Sequence, residues 1–130
     1  MTEPRFLSVD EVLVIHEEQL NAFGGLDGIR DENLLESAVM TPQASFGGEY
    51  LHSFPFEMAA AYAFHIAENQ PFLDGNKRTA LSSAMVFLED HGHHFTDEDD
   101  LTLYRAMISV SDKTLDKAGL ASLFQDLTHE

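Results

Sequence analysis

At 130 residues, 44% of them hydrophobic, the chain is long enough to enclose one core, and a single domain over residues 1–130 is expected. The balance of 23 acids against seven bases, a formal charge of −16, excludes general nucleic-acid binding, because phosphate neutralisation needs clustered cations and this field repels a polyanion. There is no cysteine for a disulfide or thiolate metal site, no run near the ~20 apolar residues of a membrane span, and no secretory signal in Met1 to Asp10, so a cytoplasmic protein is expected.

Ser8 and Glu11 have the spacing of a capping box and predict the start of a first helix. Val9, Val12, Leu13, His16, Leu20 and Phe23 recur at three and four residues, which turns that face inward and makes His16 a hydrogen-bonded residue at the core's edge. Gly24-Gly25 and Gly28 end the helix. Asp31 caps a second one, with Leu34, Leu35 and Ala38 as its apolar face, and Thr41-Pro42 stops it. From Thr41 to Phe54 a long irregular connection is expected, either an ordinary surface loop or a substrate-docking lid with Phe46 and Tyr50 as contact residues.

Pro55 suits the first turn of a third helix, whose run Met58-Ala59-Ala60-Ala61-Tyr62-Ala63-Phe64 is apolar nearly all round. That pattern predicts a central helix, with the alanines letting its neighbours approach closely. Gln70, lying before Pro71, is driven out of helical geometry and ends the helix at about Asn69. A fourth helix carries Ala80, Leu81, Ala84, Phe87 and Leu88 and stops at Gly92. Thr96 with the acidic run Asp97 to Asp100 opens a fifth with Leu101, Tyr104, Met107 and Ile108 inward, and Leu120, Leu123, Phe124 and Leu127 mark a sixth. No segment shows strand alternation. The fold class that follows is all-α, a bundle of about six helices.

Between the third and fourth helices lies Asn69-Gln70-Pro71-Phe72-Leu73-Asp74-Gly75-Asn76-Lys77-Arg78-Thr79-Ala80. Gly75 permits a tight turn, and Asn76 to Thr79 form a first helical turn whose free N–H groups face the loop, a natural anion site. Asp74, the only carboxylate there, is the candidate ligand for Mg²⁺. Lys77 and Arg78 can neutralise charge on a transferring phosphoryl or nucleotidyl group, and the Asn76 amide can donate to it. The simpler reading of Asp74-Gly75-Asn76 is a turn and helix cap followed by two solvated cations. A general base is missing: Gln70 cannot take a hydroxyl proton, and His65, five residues earlier, points elsewhere on its helix and is expected to pack or to bond to backbone.

Gln70-Pro71-Phe72-Leu73-Asp74-Gly75-Asn76-Lys77-Arg78 resembles the Fic family motif His-Pro-Phe-x-(Asp or Glu)-Gly-Asn-x-Arg at every fixed position except the first. Three features resemble the Doc (death-on-curing) branch: the ending Lys77-Arg78-Thr79-Ala80, the upstream pattern Gly28-Ile29-Arg30-Asp31 through Leu34-Leu35-Glu36-Ser37-Ala38 and Pro42, and Leu81 where Fic nucleotidyl transferases carry a second arginine. The likeness covers residues 8 to 125. It implies an all-α Fic fold that binds ATP and Mg²⁺, with Asp74 as the metal ligand, Asn76 and the backbone of Gly75 to Lys77 as the phosphate cradle, Lys77 and Arg78 as clamps, and Phe72 anchoring this nucleotide-binding loop in the core.

Doc toxins of toxin–antitoxin pairs phosphorylate a threonine of elongation factor Tu, whereas most Fic relatives transfer AMP to a protein hydroxyl, so both chemistries follow from the resemblance. The chain has no segment similar to the inhibitory Ser/Thr-x-x-x-Glu-(Gly/Asn) helix of some Fic proteins, which makes a separate antitoxin chain the expected restraint. The motif histidine is the family's base, and Gln70 in its place implies an impaired or inactive transferase. Two other readings compete: a non-catalytic module that recruits a partner through its acidic surface and the Thr41 to Phe54 loop, and a metal site at His91, His93 and His94 beside Asp97 to Asp100.

Overall fold

The computed structural model describes residues 3–130. Ser8 accepts a bond from the Glu11 N–H while Glu11 accepts one from the Ser8 N–H, so the expected capping box opens α1 (Val9–Phe23), and Gly24 in a positive-φ conformation closes it. Asp31 caps α2 (Glu32–Met40) through the Leu34 N–H, and Pro42 sits in a 3₁₀ turn, Thr41–Gln43, that ends it. The helices α3 (Phe56–Asn69), α4 (Asn76–Asp90), α5 (Asp100–Ser111) and α6 (Lys117–Leu127) follow, making six α-helices among the described residues.

The central helix is α3. Its residues Met58 to Ala63, Ile66 and Ala67 are all buried, and it packs against α2, α4, α5 and α6. Five alanines, at 59, 60, 61, 63 and 67, keep its surface low enough for helices to close on it from every side. The core they surround is filled by Tyr62, Phe87, Phe124, Met58, Leu88 and Leu120, each fully buried. Tyr62 escapes the cost of a buried hydroxyl because its oxygen accepts the Leu7 N–H at 2.8 Å, which also pins the segment before α1 onto α3. Burial drives the Tyr62 phenol well above the usual tyrosine range.

Three expectations change. The Thr41 to Phe54 connection contains a short antiparallel hairpin, β1 (Ser45–Phe46) with β2 (Glu49–Tyr50), turning at Gly47-Gly48. Strands of two residues are too short for alternation to reveal. The α5 face is rotated: Leu103, Ala106, Met107 and Val110 are buried, whereas Leu101, Tyr104 and Ile108 are exposed. Two overlapping stripes satisfy helical spacing there, and packing on α3 selects the one that periodicity did not. Phe23, expected inward, is 64% exposed and lies under the Arg78 guanidinium.

The metal alternative at residues 91–94 is overturned because its side chains do not converge as a metal-capable group among the described residues. His91 accepts the Arg5 N–H at Nε2 and donates to the Phe87 carbonyl from Nδ1, His93 meets Phe56 edge-on, and His94 pairs its backbone with His129. No metal-capable group of three or more His, Cys, Asp or Glu residues forms among the described residues, and none of the described helices is long and apolar enough to cross a membrane.

Candidate functional site

The loop joining α3 to α4 is held from three directions. Gln70 leaves α3 in the left-handed conformation, φ 46° and ψ 57°, rather than the extended one that a following proline usually imposes. A non-glycine residue pays roughly 1–2 kcal/mol for that geometry, so it persists only where neighbours fix it. Arg30 supplies the fixing: its Nε donates to the Gln70 carbonyl at 2.6 Å and its Nη2 to the Asn69 carbonyl at 2.7 Å, a cation set on the free acceptors of a helix C-terminus. The backbone of residues 28–31 then pairs with the loop, Arg30 and Asp31 donating to the Pro71 carbonyl and Leu73 donating to that of Gly28.

From inside, Phe72 is 1% exposed and stacks on His16 with ring centres 3.8 Å apart and planes 7° from parallel. Burying such a side chain contributes roughly 2–3 kcal/mol toward seating the loop. His16, itself 4% exposed, directs Nε2 to the Asp74 carbonyl at 2.9 Å. This is the hydrogen-bonded core-edge histidine expected, and its contact is the motif loop itself. Asn76 completes the closure: its Oδ1 accepts the Phe72 N–H and its Nδ2 donates to the Phe72 carbonyl, both at 3.0 Å.

Gly75, at φ 77° and ψ 17°, turns the chain into α4, and no side chain caps this helix. The first intrahelical bond runs from the Thr79 N–H to the Gly75 carbonyl, which leaves the amides of Asn76, Lys77 and Arg78 at the positive end of the dipole. A pocket of about 380 Å³ opens there, within the usual range for small-molecule sites, lined by Gln70, Asp74, Gly75, Asn76, Lys77 and Arg78. Ala67, Tyr104 and Ser111 complete its wall. Of the residues expected at the site, only Phe72 lies outside the lining, acting on it through the loop.

Asp74 is exposed and ionised. Hydrogen bonds from the Leu26 N–H, at 3.2 Å to Oδ2, and from the Gly75 N–H, at 2.9 Å to Oδ1, hold its carboxyl below the usual carboxylate range. Each oxygen keeps a lone pair for a hard cation, and the single carboxylate beside two cationic side chains suits Mg²⁺ that arrives with a polyphosphate. Arg78 rests on the Phe23 ring, its guanidinium carbon 4.8 Å from the ring centre, which aims the side chain without neutralising it. Gln70 lines the same space and makes no side-chain bond among the described residues.

Arg30, Tyr104 and Phe23 are the contributors that sequence reasoning missed. Arg30 stands in a Gly-Ile-Arg-Asp run that attracts notice, yet its contact lies 40 residues away; Tyr104 and Phe23 were read as core residues. His65 bonds neither to Gln70 nor to backbone but to the Nζ of Lys117.

Residues 6–88 match the family model described as Fic/DOC family. The chain belongs to the Fic/DOC family. It is similar to Protein kinase doc of Escherichia phage P1, with 34% identity over 97 residues that cover 75% of this chain and 76% of the phage protein. It is also 42% identical over 71 residues, 55% of each chain, to Toxin Doc of Mycolicibacterium smegmatis. The six-helix arrangement is consistent with the all-α Fic fold, and the motif loop and the start of α4 fall within the matched span.

Proposed function

We propose that this Fic/DOC chain is a Doc-like, toxin-type transferase scaffold that binds Mg²⁺–ATP at the start of α4 and is directed toward phosphoryl transfer to a protein hydroxyl. The threonine of elongation factor Tu is the proposed acceptor. The observation that carries the reading is the convergence of Gln70, Asp74, Gly75, Asn76, Lys77 and Arg78 on one pocket at an uncapped helix N-terminus. The phage relative is named a protein kinase, which supports the phosphoryl chemistry, and the mycobacterial relative is named a toxin, which supports the toxin class; a separate antitoxin chain is the restraint proposed for it.

In this reading the α4 amides and Lys77 hold phosphate oxygens, and Arg78 adds a planar fork that can make two parallel bonds to the transferring group. Mg²⁺, carried with the nucleotide, supplies charge neutralisation across the phosphates, and Asp74 is the protein group that would bind it. His16, Asn76 and Arg30 position the loop and touch no reacting atom. The exposed Phe46, 83% accessible at the hairpin, gives an acceptor protein a contact.

Gln70 occupies the position from which a base would take the hydroxyl proton. Its amide hydrogen-bonds but does not accept a proton at ordinary pH, and loss of a general base removes roughly 10²- to 10⁴-fold of rate. The chain is therefore an impaired transferase that still binds nucleotide. AMP transfer is the second reading, and the same experiment separates the two: Gln70→His is incubated with elongation factor Tu and ATP labelled at the γ or the α phosphorus. Incorporation from γ alone supports phosphorylation, incorporation from α supports AMP transfer, and no incorporation of either label sinks the transferase reading.

A further inference from the structure

A second pocket, of about 600 Å³, shares no residue with the first and lies between α6, the start of α3 and the segment after the hairpin. Leu51, Phe54, Phe56 and Ala121 give it an apolar wall, and His52 and Lys117 close one side. The Nζ of Lys117 lies 2.8 Å from Nε2 of His52 and 3.0 Å from Nε2 of His65. Among the described residues it joins no ion pair. A lysine on a protein surface ordinarily faces water or a carboxylate; this one is held by two imidazoles.

Proton placement restricts the amine. His52 is 9% exposed and its Nδ1 is buried with no partner. That nitrogen goes unpaired in either tautomer; with both Nε2 atoms accepting, two N–H bonds from Nζ satisfy the imidazoles and a neutral amine keeps its lone pair free. The surroundings favour neutral partners throughout. Burial lowers His52, brings His65 down to about 4 and lowers Lys117 itself. The opposing charges are Glu57, whose carboxylate accepts the Ser53 N–H at the pocket rim, and Glu68 beside His65.

We propose that Lys117 is a reactive amine at the side of a second ligand site, which takes a small aldehyde with an apolar or aromatic body as an imine. The Nζ lone pair forms a bond to the carbonyl carbon while the carbonyl π pair moves to oxygen. An imidazole relays one N–H proton to the alkoxide, giving the carbinolamine. A second proton from nitrogen, relayed in the same way to that hydroxyl, lets the C–O bond break and water leave while the nitrogen lone pair forms the C=N bond, so one aldehyde and one amine give one imine and one water, with no oxidant or reductant. The wall of Leu51, Phe54 and Phe56 accommodates the body of the aldehyde, and the two imidazoles shuttle the proton.

Salicylaldehyde with cyanoborohydride, applied to the intact protein near neutral pH and read by peptide mass spectrometry, tests this directly. The chain has three lysines, Lys77, Lys113 and Lys117. Lys113 is ion-paired with Glu68, so Lys77, in no ion pair among the described residues, is the internal reference. A lowered amine pKa gives more free amine at neutral pH, so Lys117 is expected to be labelled faster than Lys77. His65→Gln, compared within the same molecule against Lys77, is expected to cut that preference. Labelling of Lys117 no faster than Lys77 overturns the proposal, as does an unchanged preference in His65→Gln.

Discussion

Replacing Asn76 by alanine tests whether the motif loop is a built structure or a flexible phosphate loop. The side chain forms two bonds of 3.0 Å to the N–H and the carbonyl of Phe72, a residue only 1% exposed. Removing it takes away two bonds worth ~1 kcal/mol net each and leaves two backbone groups unpaired, for which the penalty is ~1–3 kcal/mol apiece where water cannot replace the partner. Water reaches part of this loop, so an overall loss of about 2–4 kcal/mol is expected. For 130 residues the unfolding entropy is ~0.27 kcal/mol/K, which converts that loss to roughly 7–15 °C in Tm. Urea and thermal unfolding without nucleotide make the measurement. Asn33→Ala, an exposed α2 position, serves as the control and is expected to stay within about 0.5 kcal/mol. Asn76→Asp keeps an acceptor for the Phe72 N–H but sets a carboxylate oxygen against the Phe72 carbonyl, so it is expected to recover little. An Asn76→Ala protein as stable as the unaltered chain would refute the loop-closing role.

Gly25 and Gly24 both have positive φ, but a Cβ on Gly25 would meet Asp74 Oδ2 at 2.7 Å, whereas one on Gly24 meets nothing within 4 Å. Gly25→Ala is therefore expected to weaken Mg²⁺-dependent ATP binding in a calorimetric titration much more than Gly24→Ala; equal effects would remove the carboxylate from the account. His65 bears on pH dependence. Its folded pKa of about 4 lies below the unfolded 6.5, so its neutral form contributes stability above pH 6.5 that is lost as pH falls toward 4. Half-burial discounts the full linkage value to about 1–2 kcal/mol. Urea midpoints across that window should flatten in His65→Gln, and an unchanged slope would assign the acid sensitivity to other groups.

The elements legible in the sequence were those whose signals are local. Ser8 with Glu11, Asp31 and Pro42 act within one helical turn, and the apolar run from Met58 to Phe64 specifies a central helix because no face of it tolerates water. That Asp74, Lys77 and Arg78 share one pocket was legible because nine contiguous residues carry them. Contacts joining distant segments were not. Arg30 reaches carbonyls 39 and 40 residues away, and Lys117 meets His52 and His65 across 65 and 52 residues. Tyr104 faces the pocket instead of the core because α5 offers two apolar stripes and tertiary packing chooses between them.

Binding of Mg²⁺–ATP to the chain as it stands, titrated by calorimetry beside Gln70→His, is the most direct test of the proposed nucleotide site without a base. On that proposal Lys77, Arg78 and the α4 amides would hold the phosphates and Asp74 the Mg²⁺ in both proteins, and position 70 would serve the acceptor hydroxyl. Both are expected to bind, with Kd values within about threefold, a difference of ~0.7 kcal/mol. An unaltered chain that takes up no nucleotide, whether or not Gln70→His binds it, would contradict that claim.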